Sequence, residues 1–156
     1  MTNFRHEVSS ALAAPAAEVW AHATSIDGIN AELAPWLKMT APPELRSLSD
    51  VEVVLGRPIG RSTVLLFGWL PVDRMELTLV ELEPGRRFVE RSQVRSQKLW
   101  QHERTVEPEG DGGCRLTDRL MFEPRLGGPL VAAFLRRVFA ARHAYLRRTF
   151  SGARTT

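Results

Sequence analysis

Residues 129–150 read PLVAAFLRRVFAARHAYLRRTF, introduced by Gly127-Gly128, and contain no glycine and no internal proline. Proline suits the first turn of a helix, where its missing N–H has no partner to lose. Beyond it, Val131, Phe134, Leu135, Val138, Ala141, Arg142, Tyr145, Leu146 and Phe150 recur at i, i+3, i+4 and i+7. The spacing predicts one long helix with that stripe turned inward and Arg136, Arg137, Arg147 and Arg148 mostly elsewhere. A lone amphipathic helix must bury its stripe on something, so the chain before it has to supply the surface.

That surface reads as β-structure. RSTVLLFGWLPVDR (61–74), MELTLVELEPG (75–85), RRFVERSQ (86–93), KLWQHERTVEP (98–108) and CRLTDRLMFEP (114–124) are five strand-like runs. They are bounded by Pro71-Val72-Asp73, Glu83-Pro84-Gly85, a polar stretch at Val94 to Gln97, and Glu109-Gly-Asp-Gly-Gly113. Intervals this short predict antiparallel hairpins, since a parallel crossover needs a dozen or more residues. Further upstream, Phe4 to Leu12 reads as a strand ending at Pro15, and PAAEVWAHAT (15–24) as a helix of two or three turns. Ser25 is placed to cap a second short helix, SIDGINAELAPW, weakened by Gly28 and ended by Pro35. Residues 41–60, with Pro42, Pro43, Gly56, Pro58 and Gly60 around VEVVL, read as loop, short strand, loop.

The expected fold class is therefore α+β: a curved antiparallel sheet of about six or seven strands wrapped around the long carboxy-terminal helix, with two short helices after the first strand. With 156 residues the expectation is a single domain over residues 1–156, residues 151–156 forming a short tail. The lone Cys114 excludes an internal disulfide, and the chain has no CxxC pair. No signal-peptide pattern opens it and no apolar run is long enough to span a membrane, so the expected location is the cytoplasm.

In the hairpin around PEGDGG, symmetrical pairing sets Val106 opposite Cys114, Arg104 opposite Leu116, His102 opposite Asp118 and Trp100 opposite Leu120, all on one face. The other face carries Leu99, Gln101, Glu103, Thr105, Arg115, Thr117, Arg119 and Met121 and is far more polar, so the first set is expected inside. This places His102, Arg104 and Asp118 on an apolar interior surface, where unpaired charge is costly. Two readings stand: Asp118 orients His102 for acid/base work while Arg104 binds a ligand oxygen, or Asp118 and Arg104 satisfy each other as structure. Glu90 and Ser92 share a face with Phe88 and are further inward candidates. Trp20, Trp36, Trp69 and Trp100 are candidate pocket walls or core. His143 is expected to hydrogen-bond the sheet, at the boundary of the interior.

The order of elements, with Ala14-Pro-Ala-Ala-Glu-Val-Trp20, Leu82-Glu83-Pro84-Gly85, Trp100-Gln101-His102-Glu103, Gly112-Gly113, Leu116-Thr117-Asp118 and Arg142-His143-x-x-Leu146, resembles the START-like, helix-grip superfamily, also labelled SRPBCC. That superfamily includes polyketide cyclases, aromatases and pathogenesis-related plant proteins. The resemblance implies a cavity between sheet and helix for an apolar small molecule, and the wall expected for it is Glu90, Trp100, Arg104, Leu116, Leu120, Phe122, Phe134, Val138 and Arg142. Binding of a hydrophobic or amphipathic molecule (lipid, isoprenoid or polyketide-like) is the first functional expectation. The alternative is a cyclase or dehydratase in which His102 and Asp118 move protons.

No GxSxG, HExxH, Walker loop or post-strand GxGxxG occurs, and His6 and His22 lack ligand-spaced acids, so neither cofactor nor metal is implied. Pro124 to Thr156 carries seven arginines, including Arg125 and Arg154, and no acid, a charge of +7 against −4 for the rest. Because 19 of the 21 basic residues are arginine, this reads as coding bias on a solvated face, with weak contact to an anionic surface the lesser alternative and no nucleic-acid partner expected. Oligomeric state is left open.

Overall fold

The computed structural model describes residues 3–42 and 45–151, so Pro43, Arg154 and the expected tail beyond Ser151 lie outside the described residues. Along the chain run β1 (Phe4–Leu12), α1 (Ala16–Ala23), α2 (Ile26–Leu33), β2 (Leu37–Met39), β3 (Pro58–Leu66), β4 (Leu70–Glu83), β5 (Arg87–Arg91), β6 (Gln93–Val94), β7 (Gln97–Glu109), β8 (Gly113–Pro124) and α3 (Gly128–Thr149). The strands pair in the order β1-β8-β7-β5-β4-β3-β2, with β6 alongside β4, and every pairing is antiparallel. The chain leaves the sheet at one edge, crosses through α1 and α2, and rejoins it at the other edge. Register shifts at Pro58/Gly60, Val64/Leu65, Leu79/Glu81 and Gln97/Leu99 bend the strands, as bulges do, and curl the sheet around α3. This is the α+β helix-grip architecture expected above.

Local chemistry accounts for the short helices. Pro15 precedes α1, and the Ser25 hydroxyl accepts the Gly28 N–H at 3.0 Å to cap α2. Gly28 does not merely weaken α2: a Cβ there would sit 2.0 Å from the His22 carbonyl oxygen, so the close approach of α2 to α1 depends on it.

The sheet corrects the expectation at four places. The β7–β8 turn is the tight Gly110-Asp111-Gly112, so Pro108 and Glu109 stay in the strand and the pairing shifts by two. Val106 faces Leu116, Arg104 faces Asp118, His102 faces Leu120 and Trp100 faces Phe122. An even shift leaves each residue on its expected face, and His102, Arg104, Val106, Leu116, Asp118 and Leu120 are all buried. The run 61–74 breaks at Phe67-Gly68, both with positive φ, rather than at Pro71-Val72-Asp73; Pro71 lies in β4, beside the bulge where it faces Leu65. VEVVL (51–55) forms no strand: the backbone hydrogen bond to β4 comes just after it, from the Gly56 N–H to the Leu79 carbonyl (2.8 Å), and with Val54 and Leu55 exposed the run has no buried face to hold a ladder. Within the polar stretch 94–97, Val94 belongs to β6 and Gln97 opens β7.

On α3 the buried set is Ala132, Val138, Phe139, Arg142, His143 and Leu146. Phe139 and His143 extend the expected stripe because a curled sheet covers more of the helix circumference than a flat one. The interior then divides into two apolar clusters, one around Val19, Val106, Leu116 and Leu146 and one around Leu33, Leu120, Phe122 and Phe139. Five of the contributing elements each add a buried polar residue to this interior: Ser10 on β1, Glu32 on α2, Arg104 on β7, Asp118 on β8 and His143 on α3.

Candidate functional site

Asp118 is the hub of this polar layer. Arg104 donates to it from Nε (2.7 Å to Oδ1) and Nη2 (2.9 Å to Oδ2), His102 Nε2 lies 2.7 Å from Oδ1, and His143 Nε2 lies 2.8 Å from Oδ2. A second carboxylate, Glu32 of α2, accepts from Arg104 Nη1 (3.1 Å) and Nη2 (2.8 Å) and from Arg142 Nε (3.0 Å). Arg104, Asp118, Glu32 and His143 have no solvent exposure. Ser10 extends the layer to the surface, its hydroxyl 2.7 Å from His143 Nδ1 and accepting from Arg147 Nη1 at 3.0 Å.

Electrostatics explain how these charges stay buried. Burial by itself raises the Asp118 carboxyl, but the Arg104 charge and hydrogen bonds outweigh it and hold the group well below its ordinary range. Glu32 is lowered in the same way, its burial outweighed by Arg104 and Arg142. For His102, burial lowers and the Asp118 and Glu90 carboxylates raise, with a net upward shift. Asp118 is therefore an acceptor, so His102 Nε2 carries the proton in their 2.7 Å contact.

Against this layer lies a two-lobed cavity, the larger lobe of about 410 Å³ between α3 and the sheet and the smaller of about 110 Å³ lined by α2, residues 39–42 and residues 45–48. Both lobes touch Met39, Glu90, His102 and Arg142. The larger is otherwise walled mainly by apolar side chains, among them Leu33, Met75, Trp100, Phe134, Val138 and Phe139. At its polar floor, Glu90 accepts from the Ser92 hydroxyl (2.6 Å) and stands 3.7 Å from His102 Nδ1. The Arg142 guanidinium lies 4.8 Å over the Phe139 ring, and its Nη1 and Nη2 make no hydrogen bond among the described residues. The floor thus offers a forked cationic donor, a carboxylate acceptor and one imidazole nitrogen. Among the described residues no His, Cys, Asp and Glu group has the arrangement of a metal site.

Of the residues singled out in the sequence, Glu90, Trp100, His102, Phe134, Val138 and Arg142 border the cavity. Arg104 does not: Asp118 and Glu32 occupy its guanidinium on both sides, the pairing with Asp118 being the structural one of its two expected readings. Asp118 lines neither lobe and reaches them only through its contact with His102. Leu116 belongs to the first apolar cluster and Leu120 and Phe122 to the second, on β8 where it is flanked by both β1 and β7, and none of the three lines either lobe. Trp20 packs edge-on against Phe88, Trp36 against Phe134, and Trp69 is 71% exposed. His143 bonds the sheet as expected but is fully buried, not at a boundary. Glu32 escaped the sequence reading; the one signal is that it follows Gly28 by four residues on the side of α2 that faces inward, and its partners come from β7 and α3.

Solved structures share this architecture. The Zhui aromatase/cyclase from Streptomyces sp. R1128 aligns with a TM-score of 0.69 at 14% identity, covering 97% of this chain and 99% of that one. A START superfamily protein from Mycobacterium smegmatis aligns at 0.63 and 12% identity over 94% and 97%, and a protein from Chromobacterium violaceum at 0.66 and 14% over 92% and 97%. The fold is START-like, of the SRPBCC type. No curated protein matches the sequence. A family model described as "Domain of unknown function (DUF8410)" matches residues 10–150, and the chain belongs to that family.

Proposed function

We propose that the protein binds an amphipathic small molecule in the cavity between sheet and α3, its apolar body among Trp100, Phe134, Val138 and Phe139 and its oxygen-bearing end at Arg142, Glu90 and His102. The observation that carries this reading is an apolar cavity of about 410 Å³ ending on an Arg142 fork with two unpartnered nitrogens. A desolvated guanidinium gains from an oxygen acceptor brought to it, and Glu90 beside it favours a ligand that also presents a hydroxyl or enol proton. The aromatase/cyclase among its structural neighbours supports a cyclic or polyketide-like occupant.

The test is to extract and identify by mass spectrometry what co-purifies from the native host, then to titrate anilinonaphthalene sulfonate against the protein and compete it with the recovered compound. Val138→Phe puts a ring into the larger lobe and is expected to weaken both ligands at least tenfold while the protein stays folded. Absence of saturable binding, or binding indifferent to Val138→Phe, rejects the cavity reading.

A second reading, cyclisation or dehydration of the bound molecule, is favoured by one feature: Asp118 fixes His102 through Nε2 and leaves Nδ1 toward the cavity floor. In that case His102→Gln retains binding and loses turnover of the recovered compound. Turnover unchanged in His102→Gln refutes it.

A further inference from the structure

Six large apolar side chains stand exposed at one end of the molecule: Phe67, Trp69, Leu70 and Val72 on the β3–β4 hairpin, and Leu126 and Leu130 at the start of α3. Trp69 is 71% exposed, Leu126 86% and Leu130 79%. The two elements adjoin. The Phe67 N–H donates to the Trp36 carbonyl (2.8 Å), and the Trp36 ring lies 6.3 Å from both Phe67 and Phe134, one helical turn from Leu130. Val72 shares a surface groove with Leu126, and Val72 and Leu130 both line the larger cavity lobe, so the patch surrounds the mouth of the cavity.

The same groove holds Arg74, Arg95 and Arg125, all exposed, and none makes an ion pair among the described residues. This contrasts with the outer face of the sheet, where Arg87, Arg115 and Arg119 each reach a glutamate at 2.6 Å. The one acid in the groove, Asp73, accepts from the Ser96 N–H and hydroxyl and from the Arg74 N–H. Projecting apolar side chains ringed by unpaired guanidiniums call for a partner that is apolar within and anionic at its surface. A second copy of the chain brings the same three cations face to face. Side chains this exposed on two separate projections have no preformed pocket of their own, and they suit a fluid phase better than a rigid protein surface.

We propose that this end docks on an anionic lipid surface, with Trp69, Leu126 and Leu130 entering the headgroup boundary and Arg74, Arg95 and Arg125 on lipid phosphates. The cavity mouth then opens against the bilayer. The docking does not depend on what fills the cavity, so a failure here leaves the ligand reading untouched, and the reverse.

The test is flotation of the purified protein with phosphatidylcholine vesicles, with and without phosphatidylserine. Binding is expected to the mixed vesicles and to weaken steeply with salt. Trp69→Ala is expected to lower partition about tenfold, and Arg95→Glu and Arg125→Glu by at least roughly fivefold each. All three sites are on the surface, so far-UV circular dichroism and melting should match the parent, and Arg148→Glu, at the far end of α3, should bind like the parent. Doxyl-labelled lipid should quench a tryptophan signal that disappears in Trp69→Ala. No binding to mixed vesicles, equal binding by Trp69→Ala and the arginine variants, or burial of the patch in a dimer or in a complex with an acidic protein overturns the proposal.

Discussion

Replacing Arg104 by methionine removes the cation that reaches both buried carboxylates, and the structure fixes what remains. Asp118 keeps His102 and His143, Glu32 keeps Arg142, and four N–H donations disappear from a site with no solvent. Two effects compete in accounting for the loss. A change of side-chain packing at roughly constant volume costs under about 1.5 kcal/mol, whereas leaving a buried charge without its partner costs about 3–5 kcal/mol. The second should dominate, lowering the unfolding free energy by about 3–5 kcal/mol and the melting temperature by about 10–15 °C for a chain of this size. Urea unfolding followed by circular dichroism measures it. Acidity separates the two effects, because a packing loss is independent of pH. In the parent, both carboxyls sit below their ordinary range, so their contribution is present above pH of about 4 and fades as pH falls further. Without Arg104 they are pushed upward and accept protons early, so the gap between variant and parent should narrow as pH approaches about 4. A loss below about 1 kcal/mol, or a gap that does not change with pH, refutes the reasoning.

His102 gives the opposite pH sign. Its folded value is raised, so its contribution is full below the ordinary histidine range near 6.5 and fades as pH rises through the folded value. His102→Gln should therefore cost more stability at pH near 5.5 than near 8.5, as read by paired urea titrations; comparison with the parent cancels the opposing terms from His6 and His22, which are lowered by burial. The two glycines separate backbone strain from collision. Gly112→Ala, at φ +80° with nothing within 4 Å, should cost about 1 kcal/mol, whereas Gly28→Ala drives a Cβ into the His22 carbonyl and should cost clearly more in thermal melts.

Periodicity alone determined the long helix, the β-rich middle and which face of the β7–β8 hairpin turns inward. These properties repeat every 3.6 or two residues, and a register error of two leaves a face unchanged. For that reason His102, Arg104 and Asp118 are legible as an interior group even though their cross-strand partners are displaced by the tight Gly110-Asp111-Gly112 turn. The strand break at Phe67-Gly68 is less legible, because a hairpin with a non-glycine residue at positive φ leaves little signature, and Pro71 three residues on draws the turn toward itself. What each polar residue does was decided only by tertiary structure. Glu32 lies 72 residues from Arg104 and 110 from Arg142, and the curl of the sheet brings the three together. Their pairing withdraws Arg104 from the cavity and leaves Arg142 facing it. Burial and pairing of charge depend on three-dimensional neighbours, which no local period encodes. The same holds for the cavity, since unfilled volume follows from how far a bent sheet stands off a straight helix and not from any single residue.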